Sequence, residues 1–348
     1  MIRNDIKALS AYHVPDSAGL IKLDAMENPF PMPDALQTDW AECLASVPIN
    51  RYPDADMAVL RGKIAAHAGV NTDQILLGNG SDEIIQMIIM AINPGTCVIP
   101  SPTFVMYDLI SRWFKRPVAS APLAKDFSLN ADQFLQVCAR ENAEIAFLAC
   151  PNNPTGNLWS EEAIKRIAEG FNGLLVIDEA YGAFSERNHT HLLASNVMIL
   201  RTFSKLGWAG LRLGYLIGEE KNIAQLNKVR MPYNINALTQ AAASFLLDHF
   251  DHFEAQAATI RNERERMISA LNALAGVETF PSQANFILIR VADANTVFEQ
   301  LKTRGMLIKN MHGAGGLLAN CLRITIGSAV ENNAVLAAMD DILKGIPA

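Results

Sequence analysis

Between about Ala58 and Arg230, short unbroken apolar runs alternate with stretches of helical periodicity, and no other feature constrains the fold of this chain as strongly. The runs include Thr96 to Ile99, Ile145 to Leu148, Leu174 to Ile177 and Met198 to Leu200. A run of that length with no polar residue at alternate positions reads as a strand covered on both faces. Such strands, separated by helices, make a parallel sheet with crossover helices. After Pro232 the texture changes to an Ala-rich, charge-laced stretch through Leu274, predicted as one helix linking two units. Beyond it come a strand over 284–289, a helix over 294–303 and a strand over 322–326. With 348 residues, 50% of them hydrophobic, the chain can bury a large core and is expected to split into a main domain and a smaller one.

Charge narrows the partners. The 29 Lys and Arg against 36 Asp and Glu leave a formal charge of −7, and no basic run is present, which argues against a nucleic-acid surface. No apolar run approaches membrane-spanning length, and the first residues lack the apolar core of a signal peptide, so a cytoplasmic protein with no membrane partner is expected. Cys43, Cys97, Cys138, Cys150 and Cys321 are scattered, and the histidines show no ligand spacing. Neither a disulfide framework nor a metal site is indicated.

Four segments carry chemistry. Arg201-Thr202-Phe203-Ser204-Lys205, followed by Arg212, sets a lysine among hydroxyls and an arginine, as a Schiff-base lysine beside a phosphate site would be. Cys150-Pro151-Asn152-Asn153-Pro154-Thr155-Gly156 follows an apolar run and precedes Ser160, a plausible helix start, so Asn153 lies in a polar loop at a strand's carboxyl end, where ligands sit in open parallel sheets. Asp178 ends the run Leu174 to Ile177 and precedes Tyr181; a carboxylate there is partly desolvated and calls for a positive partner such as a protonated pyridine nitrogen. Gly78-Asn79-Gly80-Ser81-Asp82 joins a strand to a helix start, with Ser81 the expected cap and backbone NH groups free for phosphate. Each segment alone also admits a plainer reading: a solvated lysine, a Pro-Gly turn, a metal-binding or capping Asp, an ordinary capped helix.

In this order the four segments resemble the fold-type I pyridoxal-phosphate aminotransferases, and the resemblance runs from Leu23-Asp24-Ala25-Met26-Glu27-Asn28-Pro29 to Cys321-Leu322-Arg323-Ile324-Thr325. It implies an α/β fold: an N-terminal arm over 1–30, a large domain over 31–235 with a mostly parallel central sheet, and a smaller α+β C-terminal domain over 236–348. It implies pyridoxal 5′-phosphate as cofactor and a homodimer with shared active sites. Lys205 would form the Schiff base and move the proton between substrate Cα and the cofactor. Asp178 would pair with the pyridinium, while Asn153 and Tyr181 would bond the phenolic oxygen. The phosphate would rest on the NH groups of Ser81 and Asp82, the hydroxyls of Thr202 and Ser204, and Arg212. Phe104 matches the ring that stacks on the pyridine, unless it is simply core. Tyr52 matches a tyrosine that reaches the neighbouring subunit's phosphate, unless it is an ordinary exposed loop residue.

On the substrate side, Arg323 matches the arginine that clamps a carboxylate, and Tyr12 and Asn28 match substrate-facing positions. The branch most similar moves the amine of histidinol phosphate to 2-oxoglutarate. An aromatic amino-acid aminotransferase, a decarboxylase of a phosphorylated amino acid and a non-enzymatic cofactor sensor remain as alternatives. Two departures stand out. The segment from Lys205 to Arg212 is one residue shorter than in much of the family. A second, phosphate-holding arginine, thirteen residues before the first, would fall on Asn310, which leaves its role to Lys309 or His312, or to Tyr12, Asn28 and the loop after Met311.

Overall fold

A computed structural model describes residues 1–11 and 14–345 of the chain. The first strand, β1 (Ile21–Lys22), is short and belongs with the C-terminal part of the molecule. The main sheet has seven strands: β2 (Ile75–Asn79), β3 (Thr96–Ser101), β4 (Val118–Pro122), β5 (Ala143–Ala149), β6 (Leu174–Asp178), β7 (Val197–Thr202) and β8 (Leu213–Ile217). Their order is β2-β8-β7-β6-β5-β3-β4, and only β8 is reversed, antiparallel to both β2 and β7.

The predicted apolar runs fall on β3, β5, β6 and β7, and alternate residues of each feed separate cores. Ile145 and Phe147 pack on one face with Val176, Leu200 and the helices Ser81–Ala91 and Met106–Trp113. Ala146 and Leu148 pack on the other with Leu175, Ile177 and the helices Ala131–Arg140 and Glu161–Gly170. A strand sandwiched between helix layers has no wet face, which is why these runs are continuous rather than alternating.

The stretch predicted as one helix after Pro232 is two, Ala237–Asp248 and Phe250–Asn272, broken at His249 (φ −120°, ψ 29°). Lys63 stabilises this end: its ammonium donates to the carbonyl of Ser244 at 3.0 Å and to Asp248 at 2.5 Å, placing a cation at the helix C-terminus. The first helix packs against Asp34–Ala45 and Ala58–Ala68, beside the main sheet. We propose that the large domain continues through it and that the smaller one begins after His249.

That smaller part carries β9 (Glu278–Thr279), β10 (Phe286–Arg290), β11 (Met306–Leu307), β12 (Lys309–Asn310) and β13 (Cys321–Thr325). Four of these form an antiparallel sheet, β12-β13-β10-β9, while β11 pairs in parallel with β1. The pairing continues past β1, for Leu23 donates to Leu307 and accepts from Thr325. Residues 21–25 are thereby stitched to the small sheet and carried to the mouth of a cleft between it and the main sheet.

Candidate active site

Parallel strands send their carboxyl ends to one edge of a sheet, and ligand sites gather there. The loops after β2, β3, β5, β6 and β7 meet at that edge, and β8, being reversed, begins there just after Arg212. The cleft they enclose is lined by Ser81, Asp82, Phe104, Asn153, Asp178, Tyr181, Thr202, Ser204, Lys205 and Arg212, ten residues singled out from the sequence, together with Met26, Tyr107, Ala149 and Ala180.

Lys205 is held by its neighbours. Phe203, Leu206 and Trp208 are buried, and two 3-10 turns, Ser204–Leu206 and Ala209–Leu211, carry the chain to Arg212. Left-handed backbone at Gly207 (φ 107°) and Arg212 (φ 51°) closes this tight path, the local form that the short segment takes. A side chain at Gly207 would also press on Asn28, whose amide nitrogen lies 3.2 Å from the would-be Cβ. The ammonium of Lys205 donates to the carbonyl of Ala25 at 3.3 Å and lies 5.8 Å from the centre of the Tyr181 ring. Burial and the nearby charge of Arg323 lower its pKa to about 8, against the opposing pull of Glu27 and Asp82. An appreciable fraction of the amine is therefore neutral near physiological pH.

Asp178, at the end of a fully buried strand, is 3% exposed. Burial pushes its pKa up to about 6, while hydrogen bonds from the Tyr107 hydroxyl and the Ala180 NH hold it down. Those bonds are 2.7 Å to Oδ2 and 2.9 Å to Oδ1.

Across the cleft, Arg323 of β13 donates to Asn153 Oδ1 at 2.5 Å and to the Asp24 carbonyl at 2.8 Å, and its guanidinium lies 5.3 Å from the Phe286 ring centre. Asn153 in turn donates to the Tyr181 hydroxyl at 3.0 Å. One chain of contacts thus links the small sheet to the loops after β5 and β6.

At the opposite end, the first turn of the helix Ser81–Ala91 faces Arg212, whose guanidinium is 4.0 Å from the Asp82 carboxylate. Gly80, not Ser81, occupies the cap position, with φ 82°. Glycine suits this position because φ is positive, and the absence of a Cβ also leaves room for the Arg212 guanidinium, which would lie 2.7 Å from one. Gly214 is likewise needed, since a Cβ on it would meet the Ser81 nitrogen at 2.7 Å. Thr202 Oγ1 donates to Ser204 Oγ at 2.9 Å, so the two hydroxyls form a pair beside Arg212 and the helix start. Burial raises the pKa of Asp82, opposed by Arg212 and Lys205.

Of the other expected residues, Arg323, Asn28 and Tyr52 are not part of this lining. Asn28 spends its amide on the Leu206 carbonyl (3.2 Å) and Gln256 (3.0 Å), bracing the lysine turn. Tyr52 is 81% exposed and stacks on Tyr233 at 4.5 Å. Tyr12 lies outside the described residues. The register of the small sheet bears on the missing second arginine. Lys309 pairs with Arg323 and shares its face, whereas Asn310 pairs with Leu322, faces the other way and bonds Asn295 of the helix Ala294–Thr303 at 2.8 Å. His312 accepts from the Asn320 backbone at 3.0 Å.

Tyr107 is the principal residue that the sequence reading missed. It follows Phe104 by three residues, a spacing that puts two aromatics near one another at a helix start, but nothing local announces its bond to a strand 71 positions away.

Comparison with known proteins agrees with this geometry. The profile of the family "Aminotransferase class I and II" matches residues 18–342. Histidinol-phosphate aminotransferase 1 of Burkholderia lata is 47% identical, the match covering 99% of this chain and 98% of that one. Histidinol-phosphate aminotransferase of Methylibium petroleiphilum is 45% identical, with 99% and 95% covered. Among solved structures, the histidinol-phosphate aminotransferase of Sinorhizobium meliloti in complex with pyridoxal-5′-phosphate superposes with a TM-score of 0.89 at 24% identity, over 99% of this chain and 98% of that one. With a mostly parallel sheet, a lysine at its carboxyl edge and a family match over nearly its whole length, the chain belongs to the class I and II aminotransferases.

Proposed function

We propose that this chain is a pyridoxal-phosphate-dependent aminotransferase that takes the amino group of L-histidinol phosphate and passes it to 2-oxoglutarate, giving imidazole acetol phosphate and glutamate, a step of histidine biosynthesis. The observation that carries the reading is the meeting of Lys205 and Asp178 in one cleft, with Arg323 bonded across it to Asn153.

The residues present fit the cofactor. A depressed lysine amine suits an aldehyde, and Asp178 keeps lone pairs beyond those used by Tyr107 and Ala180 for a protonated ring nitrogen. The helix start at Ser81 and Asp82, the Thr202 and Ser204 hydroxyls and the Arg212 fork suit a phosphate dianion. Asn153 and Tyr181 suit a phenolic oxygen, and Phe104 supplies an aromatic face. When bound, the cofactor supplies an aldehyde for the amine and an electron-withdrawing ring.

The chain's own residues do the rest. Lys205 Nζ holds the cofactor at rest and, once displaced, moves the proton at the substrate Cα. Asp178 holds positive charge at the ring nitrogen. Arg323 grips an anionic group of each substrate in turn, where a planar fork outperforms a point charge. Lys309, on the same sheet face as Arg323, supplies the second cation that a phosphorylated amine and a dicarboxylate both require.

Tyr52 and Tyr233 form an exposed aromatic pair with Ile49, Met231 and Leu238 also exposed, a composition suited to a second copy of the chain, whose cleft Tyr52 would help complete. Cys97, Cys138, Cys150 and Cys321 are free, buried thiols, in keeping with a reducing, cytoplasmic location. Among the described residues no helix is long and apolar enough to cross a membrane.

The test is glutamate formation from 2-oxoglutarate with histidinol phosphate, phenylalanine or a phosphorylated amino acid as donor. Turnover with histidinol phosphate at the highest kcat/KM supports the assignment. Preference for phenylalanine, or carbon dioxide release without glutamate, contradicts it.

A further inference from the structure

Tyr107 is the second residue of the helix Met106–Trp113, on the helix face that packs into the core with Ile110. Its side chain is fully buried, so its hydroxyl needs a protein partner, and the partner it finds is the carboxylate of Asp178, at 2.7 Å. The ring is clamped as firmly as the hydroxyl. It stacks on Phe147 with centroids 4.7 Å apart and planes 9° from parallel, and it meets Phe104 edge to face at 5.4 Å and 84°. Tyr107 therefore touches both cleft residues that would flank a pyridine ring, the carboxylate at its nitrogen and the aromatic on its face.

We propose that Tyr107 is a positioning residue: its hydroxyl aims Asp178 and keeps it ionised for the cofactor's ring nitrogen, and its ring sets the plane of Phe104. The inference rests on reading the cleft as a pyridoxal phosphate site.

Asp178 is a carboxylate in a dry place, and desolvation favours its neutral form. Two donors oppose this, Tyr107 at Oδ2 and the Ala180 NH at Oδ1. The charges of Asp82 and Glu179 both favour protonation. Tyr107 is thus a side chain whose removal takes away a group that holds Asp178 ionised. A phenol does this without offering a competing positive charge, which leaves the carboxylate's charge for the ring nitrogen. Burial and the adjacent carboxylate push the Tyr107 phenol well above its ordinary pKa, so it stays a donor and exchanges no proton in the reaction.

The test compares wild type, Tyr107→Phe and Tyr107→Leu as apoproteins titrated with pyridoxal 5′-phosphate between pH 5 and 9, together with thermal unfolding. Phe keeps the stacking on Phe147 and Phe104 and deletes only the hydrogen bond. Tyr107→Phe is expected to fold, to bind the cofactor roughly tenfold more weakly at pH 7.5, and to shift upward by about one pH unit the midpoint at which affinity is lost on acidification. In an Asp178→Asn background the same change is expected to leave that pH profile unmoved. Tyr107→Leu is expected to weaken binding further by freeing Phe104. If Tyr107→Phe binds the cofactor as wild type does, with the same acid midpoint, the proposal is overturned, whatever happens to thermal stability. If wild type itself fails to take the cofactor, the reading of the cleft falls instead, so the two failures are distinguishable.

Discussion

The two ends of the cleft are built in different ways. The cofactor end draws on one sheet: Ser81, Asn153, Asp178, Lys205 and Arg212 all sit where strands of the main sheet end or begin, backed by two close-packed cores. The substrate end is assembled from pieces far apart in sequence. Arg323 reaches Asn153 across 170 positions and the Asp24 carbonyl across 299, and Met26 is tied to Thr325 by a 3.0 Å bond across the same separation. The first arrangement fixes a chemistry and leaves little room for change. The second can be altered one side chain at a time, and that is where a family of one chemistry can change its substrates.

Substitutions at the two ends should therefore fail differently. Lys205→Ala, at the first end, is expected to cost on the order of 10⁴-fold or more in kcat, since it removes both the covalent anchor and the proton carrier. Loss of the bound-cofactor absorbance accompanies it, and activity near wild type would break the comparison at its strongest point. Arg323→Ala is expected to lower kcat/KM for 2-oxoglutarate by roughly 10- to 100-fold, the range for a lost charge-assisted bond. Arg323→Lys should recover only part of this, because a point charge cannot reproduce the fork. Cofactor affinity is expected to stay within a few-fold, which steady-state kinetics and a cofactor titration would separate.

Lys309→Ala should cost roughly tenfold in KM for the phosphorylated donor and much less for histidinol, while Asn310→Ala should be nearly silent. Equal effects on both donors would remove Lys309 from the substrate site.

The pH response sharpens the cofactor end. Raising the pH through about 8 deprotonates Lys205, so the rate at which apoprotein captures the cofactor should rise and then level off. Lowering it through about 6 protonates Asp178, whose pKa burial has raised, so cofactor affinity should fall on the acid side. Stopped-flow absorbance and equilibrium titration read the two limbs. A smaller loss than at Lys205 or Arg323 is expected at Tyr52, where Phe in place of Tyr should weaken cofactor binding several-fold without disturbing any group within its own cleft.

The same contrast decides what the sequence could say. Strands buried on both faces announce themselves as unbroken apolar runs, and residues at their ends inherit a position, so the strand-end placement of Asp178 and of the loop that holds Asn153 is legible in the sequence. Ser160 was readable too, as an N-cap that accepts from the Ala163 NH at 3.1 Å. Gly80, not Ser81, takes the cap because the chain enters the helix with positive φ, a conformation glycine adopts freely and serine does not. The break at His249 carries no Gly or Pro to mark it, and the cation at that helix end, Lys63, comes from another element. On the substrate side, thirteen-residue spacing falls on Asn310 and leaves Lys309 and His312 as competing substitutes, between which the sequence does not choose; strand register puts Lys309 opposite Arg323. Register is set by pairing across the sheet, and a one-residue shift moves a side chain to the other face. Tyr107 escaped for the same reason, since its significance lies wholly in a contact with β6.

The most direct measurement is the absorbance of the purified, cofactor-loaded protein on adding histidinol phosphate with no oxo acid present. The account predicts that the band of lysine-bound cofactor is replaced by that of its amino form at low donor concentration, and that 2-oxoglutarate restores it. A band that ignores histidinol phosphate while responding to phenylalanine or tyrosine, or a protein that forms no such band with added cofactor, would contradict it.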